Sequence, residues 1–241
     1  MIRNLNRSDE VDSLLDVVMS EQRQVDGRPW VMLNMISTLD GATAIDGRSS
    51  SIGGPDDSKM FKAIRAVPDV ILVGAGTVTA EDYRPVVLDE ERRSARSDKA
   101  MSEAPTLAIV SGRLSIDPDA RVFGDPDHKT LIITSTEANP SKLALIGDAA
   151  DVAILPSLDP ETILNHLGAA RIVLVEGGPS LNGQFVAAGL VDEVNLTIAS
   201  KIGSGDSRRI IHGLAAEPPL DMTIDRVLQG EEELFLRYLR R

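Results

Sequence analysis

The stretch with the clearest potential for chemistry runs from Arg171 to Val186 and reads RIVLVEGGPSLNGQFV. Its branched apolar run, Ile172 to Val175, is typical of a buried parallel strand. Glu176 follows at the carboxyl end of this strand, and Gly177-Gly178-Pro179 forms a turn before helical spacing begins at Ser180. Such a turn presents free backbone N–H groups at a helix N-terminus, and glycine lets a phosphate approach closely. An ordinary strand-to-helix turn has the same composition, so this motif alone does not decide between them.

Two other predicted strand ends carry similar residues, which favours the anion-binding interpretation. Gly74-Ala75-Gly76-Thr77 follows one apolar run, and Ser111-Gly112-Arg113 follows another. The carboxyl ends of parallel strands meet at one edge of a sheet, where a dinucleotide could place its pyrophosphate on helix N-termini. Arg113 could meet a 2′-phosphate, so we expect NADPH to be preferred over NADH. The turn at Gly74-Ala75-Gly76 lacks the third glycine of the usual dinucleotide-binding fingerprint.

Candidate acids and cations are scattered along the chain. Asp40 and Glu176 are the candidate catalytic carboxylates, although either could serve only to bind hydroxyl groups, and Asp40 before Gly41 is typical of a turn. Other charged candidates for this edge are Glu81, Asp82, Arg48, Arg65, Arg84 and Arg113. The three histidines are dispersed and there is no cysteine, so no metal site is predicted.

Composition limits the class of protein. The chain has 241 residues, 42% of them hydrophobic, and a formal net charge of −12. This acidity argues against nucleic acid and anionic membranes as partners. Neither a signal-peptide core nor an apolar run long enough to cross a bilayer is present, so we expect a cytoplasmic protein.

Alternating strands and helices predict an α/β fold, with a mostly parallel central sheet covered by helices on both faces. We expect one domain over 1–241, in which residues 1–29 form an N-terminal extension with a short amphipathic helix over Glu10–Glu21. Met222–Leu228 and Glu233–Leu239 alternate and predict a closing antiparallel pair. The charged stretch Tyr83–Glu103 is interpreted as a mobile surface loop.

These motifs resemble a known family. ISTLDG at 36–41, IRAVPDVILVGAGTV at 64–78, VLVEGGPSLNGQF at 173–185 and GLVDEVNLTIASKIGSG at 189–205 are similar to the reductase domain of the riboflavin-biosynthesis deaminase/reductase. The similarity extends over most of the chain from Trp30 onward, in the same motif order.

The resemblance implies a dihydrofolate-reductase-like, three-layer αβα fold. It also implies NADPH-dependent reduction of a phosphorylated pyrimidine, 5-amino-6-(5-phosphoribosylamino)uracil, to its ribitylamino product, with hydride delivered to C1′ of the ring-opened sugar. A homodimer is expected from the family and from the apolar run GLVDEVNLTIA.

Residues carried over from the family fall into two groups. The expected cofactor contacts are Thr38, Gly74, Gly76, Thr77, Glu81, Ser111, Arg113, Gly177, Gly178, Pro179, Ser180 and Leu181. The expected substrate contacts are Asn34, Ser49, Arg65, Arg84 and Glu176.

The run from Glu81 to Val87, EDYRPVV, departs from the family pattern Asp-Asp-Pro-x-Leu-Thr-x-Arg. Arg84 could replace the missing arginine. This departure leaves two alternatives open: a related NADPH reductase of a pterin- or dihydrofolate-like substrate, and a non-catalytic nucleotide-binding protein.

Overall fold

The computed structural model describes residues 2–6, 9–125 and 128–241, and one large sheet runs through it. The strands are β1 (Arg3–Asn4), β2 (Asp9–Glu10), β3 (Trp30–Thr38), β4 (Val70–Gly74), β5 (Thr106–Val110), β6 (Thr130–Ser135), β7 (Ala150–Leu155), β8 (Ile172–Val175), β9 (Glu193–Ala199), β10 (Met222–Gln229) and β11 (Glu233–Arg240). The helices are α1 (Leu14–Ser20), α2 (Pro55–Arg65), α3 (Ala75–Glu81), α4 (Glu90–Ser97), α5 (Pro140–Ile146), α6 (Pro160–His166) and α7 (Pro179–Ala187). Short 3₁₀ turns lie at Ser49–Ser51, Arg121–Phe123 and Gly147–Ala149.

The sheet order is β2-β1-β10-β11-β9-β3-β8-β4-β5-β6-β7. The seven strands from β9 to β7 in this order are mutually parallel. The C-terminal strands β10 and β11 pair antiparallel and join the parallel part through β9. The predicted αβα fold with a mostly parallel sheet and antiparallel C-terminal strands is therefore confirmed.

Helices cover both faces because successive strand residues point to opposite sides. In β8, Leu174 faces one core, while Val173 and Val175 face the other. Helices α1, α2, α3 and α5 contribute buried residues to the first core, and α6 and α7 contribute to the second. Because β4 and β8 are parallel, the helices that follow them, α3 and α7, begin at the same edge of the sheet.

Two local predictions needed correction. Tyr83–Glu103 is not simply a mobile loop, because α4 forms within it and Arg96 at its end is completely buried. The first helix is shorter than Glu10–Glu21, because Asp9–Glu10 pairs with β1 and the helix begins after Ser13, which caps it. The division into one domain with an extension over 1–29 stays a prediction.

Within the described ranges, every helix is too short or too polar to span a lipid bilayer.

Candidate active site

A cavity of about 480 Å³ opens at the carboxyl edge of the parallel sheet. Its wall comes from the end of β3, the loop before α2, one face of α2, the end of α3 and the residue that follows β8. The cavity has the size usual for a small-molecule site. Seven residues expected at the ligand sites line it: Asn34, Ser49, Arg65, Thr77, Glu81, Arg84 and Glu176.

Glu176 is the centre of the polar wall. Its Oε1 accepts a hydrogen bond from Arg65 Nε at 2.7 Å, and its Oε2 accepts from Arg65 Nη2 at 2.5 Å. Tyr83 adds a third hydrogen bond, from its hydroxyl to Oε2 at 2.9 Å. The Glu176 side chain is only 2% exposed, so this bidentate pairing neutralises a buried charge.

Arg65 is also held by aromatic rings on both sides of its guanidinium. The guanidinium carbon lies 4.4 Å from the centroid of Phe61 and 5.3 Å from that of Tyr83. Burial alone would lower the pKa of Arg65, but the charge and hydrogen bonds of Glu176 outweigh it and raise the pKa. The pKa of Tyr83 is raised by burial and by the Glu176 charge, so its hydroxyl stays protonated and remains a donor. The cluster is therefore a rigid ion pair at neutral pH.

Beside this cluster, two helix N-termini lie against each other. Gly74 caps α3 and Gly178 caps α7, and neither helix has a side-chain cap. The two turns are joined by a hydrogen bond from Gly74 N to Gly177 O at 2.7 Å. A Cβ on Gly178 would lie 2.7 Å from Thr77 Oγ1, so this close approach requires glycine. Gly76 lies in the first turn of α3, and Pro179, Ser180 and Leu181 lie in that of α7.

These turns fit the pyrophosphate of a dinucleotide. Uncapped helix N-termini offer backbone N–H groups and a positive dipole end to an anion. Two buried side-chain atoms nearby in the fold have no hydrogen-bond partner in the described structure, namely Ser111 Oγ after β5 and Asn182 Oδ1 in α7. Both could bind polar groups of such a ligand.

Three further predicted site residues, Arg113, Thr38 and Asp40, also do not line the cavity. Arg113 is exposed in the loop after β5, where its carbonyl accepts a hydrogen bond from Lys142. Thr38 donates its hydroxyl to Asp40 Oδ1 at 2.5 Å, and Asp40 also accepts from the backbone N–H groups of Gly203 and Ser204. These hydrogen bonds lower the pKa of Asp40 to about 2. Asp40 therefore connects its own turn to the loop after β9. A catalytic role of Asp40 stays a prediction.

The cavity wall also contains Asp57, Phe61 and Tyr83, which the sequence analysis did not identify as site residues. Asp57, Phe61 and Arg65 are spaced at i, i+4 and i+8, which puts them on one face of α2. The sequence indicates only Arg65 as a site residue, because an apolar residue within a helix and an acid in its first turn are both ordinary there. Tyr83 lay in the stretch that was taken for a loop. The described residues contain no cluster of three carboxylate or histidine side chains that could hold a metal ion.

The fold is of the dihydrofolate-reductase-like class. The structure resembles a pyrimidine reductase-like protein from Corynebacterium diphtheriae, with a TM-score of 0.81 over 95% of this chain and 99% of that one, at 24% identity. It also resembles a dihydrofolate reductase from Enterococcus faecalis complexed with NADP(H), with a TM-score of 0.50 over 88% and 96% of the two chains, at 13% identity. At these identities the likeness shows the fold alone.

The sequence places the chain within a particular family. The model of the RibD C-terminal domain matches residues 29–236, so the chain belongs to that family. It is 33% identical over 220 residues to the 2,5-diamino-6-ribosylamino-4(3H)-pyrimidinone 5′-phosphate reductase of Methanothermobacter thermautotrophicus, covering 88% of this chain and 98% of that protein. It is 30% identical over 192 residues to the protein of the same name from Archaeoglobus fulgidus, covering 77% and 87%. The family resemblance expected from the motifs is thus confirmed.

Proposed function

We propose that this chain is an NADPH-dependent reductase of 2,5-diamino-6-ribosylamino-4(3H)-pyrimidinone 5′-phosphate, acting in riboflavin biosynthesis. The two relatives that carry this name support the substrate. The observation that carries the proposal is the cavity itself: a polar wall around Glu176 lies directly beside the paired N-termini of α3 and α7. One side suits a hydroxyl-rich sugar, and the other suits a pyrophosphate.

The protein's contribution is placement. A bound NADPH would supply the hydride that reduces C1′ of the sugar. The N–H groups at the start of α7 would hold the pyrophosphate, and the close approach of Gly178 to Thr77 fixes the turn that presents them. Arg65 and Tyr83 hold the Glu176 carboxylate in place, so it serves as a fixed acceptor for substrate hydroxyls.

Turnover assays test the proposal. The protein would be given NADPH or NADH with the pyrimidinone phosphate, with 5-amino-6-(5-phosphoribosylamino)uracil, and with dihydrofolate. We expect reduction of the pyrimidinone phosphate with preference for NADPH, and no reduction of dihydrofolate. Turnover of dihydrofolate alone would contradict the proposed substrate, and cofactor binding without any turnover would favour a regulatory protein.

Replacement of Arg113 tests the preference for NADPH over NADH. We expect Arg113→Gln to reduce the discrimination against NADH by removing a cation from the adenosine side. Arg121→Gln serves as the matched control, since Arg121 is an exposed arginine already paired with Asp82. Equal affinity of the unmodified protein for both cofactors in calorimetric titrations would contradict the role of Arg113.

We also propose that the chain forms a homodimer through the outer face of β9 and β11. On this face Val194, Leu196 and Ile198 lie opposite Tyr238, Leu236 and Leu234, and all six are at least partly exposed. An apolar strip of this kind is typical of an interface between subunits. We expect Leu196→Asp to give a monomer in light scattering at micromolar concentration, whereas Val152→Asp on β7 should not; an unmodified protein that is already monomeric would contradict the proposal. The cytoplasmic location of the protein stays a prediction.

A further inference from the structure

Asp57 is an acid on the cavity wall that neither the motifs nor the cluster around Glu176 account for. It belongs to the first turn of α2, on the same helix face as Phe61 and Arg65. Its carboxylate presses against Gly53 in the loop before the helix, where a Cβ would collide with Oδ2. A hydrogen bond to Thr197 of β9 fixes it from the other side.

The charge that acts on Asp57 comes from another carboxylate, Glu233. Glu233, at the start of β11, is 5% exposed and accepts a hydrogen bond from Gly54 N at 2.8 Å, so it is fixed in place. Burial raises the pKa of Asp57, and the charge of Glu233 raises it further, while the hydrogen bond with Thr197 opposes both. Two carboxylates close together in a partly desolvated place favour a proton on one of them.

The other acids of the cavity are already committed to donors. Glu176 is paired with Arg65, Glu81 accepts a hydrogen bond from Ser49 N at 2.7 Å, and Asp82 is paired with Arg121. Each of these acids therefore already has a cation or an N–H group of the protein as its partner. At Asp57, by contrast with these paired acids, the neighbouring charge is negative, and it and burial both raise the pKa and so favour the protonated form.

We propose that Asp57 is the catalytic acid of the reductase cavity, protonating the sugar ring oxygen as the ring opens. The inference rests on the proposed function. The bond between C1′ and the ring oxygen breaks, and the proton of Asp57 passes to that oxygen, which becomes a hydroxyl group. The new C1′–H bond is made with the hydride of NADPH, so C1′ is reduced and NADPH is oxidised. Solvent then returns a proton to Asp57, and one proton is consumed in each turnover.

The first test compares Asp57→Asn with Asp56→Asn. Asparagine matches a neutral aspartic acid in shape but cannot deliver the proton, so we expect kcat to fall by about 100-fold or more with Asp57→Asn. The melting temperature should not fall, because a carboxyl group with a raised pKa does not stabilise the fold at neutral pH. The Kd for NADPH should not rise. Asp56→Asn makes the same charge change one residue away, on a side chain paired with Lys59 rather than lining the cavity, and should keep kcat.

The second test uses Glu233→Gln and the pH dependence of kcat. If Asp57 must be protonated, kcat falls as pH rises through its pKa. Removing the neighbouring charge should lower that pKa, so this alkaline limb should move to lower pH in Glu233→Gln and disappear in Asp57→Asn. In parallel, carbon NMR of labelled aspartate should show a resonance that is missing in Asp57→Asn and titrates above the other aspartates.

The results of these tests distinguish a failure of the inference about Asp57 from a failure of the proposed function. If the unmodified enzyme reduces the pyrimidinone phosphate and Asp57→Asn does so equally well, the inference is wrong and the proposed function stands. An Asp57 resonance that titrates in the ordinary aspartate range would also overturn it. If no pyrimidine is reduced by the unmodified enzyme, the function and the inference fall together.

Discussion

Glu176 shows how strongly a single residue is constrained in this site. Two side chains that are far away in sequence donate three hydrogen bonds to its carboxylate, and one of them, Arg65, is 111 residues away. A carboxylate held in this way has a fixed position, which suits the orientation of a sugar. It also does not cap α7, because the capping residue is Gly178 and no side chain caps that helix.

Replacement of Glu176 tests this assignment. We expect Glu176→Gln to leave the NADPH affinity nearly unchanged but to lower kcat by roughly 10- to 150-fold, since a hydrogen bond to a charged group contributes about 1.5–3 kcal/mol. The melting temperature should fall as well, because the buried Arg65 loses its counter-charge. Steady-state kinetics, calorimetry and thermal melts measure the three effects.

Tyr83→Phe is the matched variant, since it keeps the ring beside Arg65 and removes one of the three hydrogen bonds. It should produce a smaller loss of both kcat and stability. A destabilised Glu176→Gln protein with full activity would mean that the carboxylate only neutralises Arg65.

Gly178 carries a second prediction at this scale. Its φ of −70° is open to any residue, so the requirement for glycine is steric. We expect Gly178→Val to abolish NADPH binding and to leave the fold largely intact, because the side chain would enter the space beside Thr77 that a phosphate needs. Calorimetry and circular dichroism provide the readouts. The double variant with Thr77→Ala removes the internal collision, so recovery of binding there would show that the collision, rather than a blocked phosphate site, caused the loss.

Elements with apolar periodicity were predictable, and those without it were not. Ile172–Val175 was predicted and observed with the same ends, because a run of branched apolar residues between turn residues has few alternatives. Helix α4 has the sequence EERRSARS, which offers no apolar stripe, so it was missed. It forms because Asp89 caps its start and because Arg96 anchors its end in the core. The ion pair between Arg65 on α2 and Glu176 after β8 depends on the tertiary fold, so the local sequence does not reveal it.

Arg96 connects α4 to the end of α2. Its Nη1 donates to the carbonyls of Ala66 at 3.0 Å and Pro68 at 2.6 Å, and its Nε donates to Ser102 O at 2.7 Å. Replacing it with methionine would leave these carbonyls without their donor. We expect Arg96→Met to lower the free energy of unfolding by about 2–5 kcal/mol in denaturant titrations, since each unsatisfied buried group costs about 1–3 kcal/mol.

A nearby arginine provides the control for that measurement. Arg93 also lies in α4 but is more exposed and pairs with Glu90 and Glu103. Arg93→Met should therefore change the free energy of unfolding by no more than about 1 kcal/mol. Similar effects of the two substitutions would contradict the anchoring role of Arg96.

At the scale of the whole molecule, the antiparallel end of the sheet has an unusual distribution of polarity. In β9 the inward-facing Glu193, Asn195 and Thr197 are buried, while the apolar residues between them are partly exposed. The inner face is occupied by a charge cluster, defined here as Glu21, Arg23, Glu193, Arg226 and Arg237. The alternation of polar and apolar residues in β9 is typical of a strand, but it does not show that the polar face is the buried one. The cluster attaches the segment after α1 to three strands of the sheet.

Glu193 makes this cluster a determinant of acid stability. Burial would raise its pKa, but the charges and hydrogen bonds of Arg23 and Arg237 outweigh burial and hold the pKa at about 2, below its ordinary value of 4.5. A carboxylate with a lowered pKa stabilises the fold above its unfolded pKa, and this contribution is lost as pH falls through the folded pKa. We therefore expect the free energy of unfolding to drop by about 3 kcal/mol on account of Glu193 between pH 4.5 and pH 2. Glu21, whose pKa burial raises, opposes part of this effect.

Denaturant titrations over a series of pH values measure that contribution, with Glu193→Gln and Glu137→Gln compared with the unmodified protein. Glu193→Gln leaves Arg23 and Arg237 buried with one counter-charge fewer, so it should cost about 3–5 kcal/mol at neutral pH. Its stability should also depend less on pH in the acid range, because the group that loses its charge there is gone. Glu137 is exposed, so Glu137→Gln should follow the unmodified protein throughout. If Glu193→Gln instead unfolded with the same acid dependence as the unmodified protein, other carboxylates would have to hold this end of the sheet together.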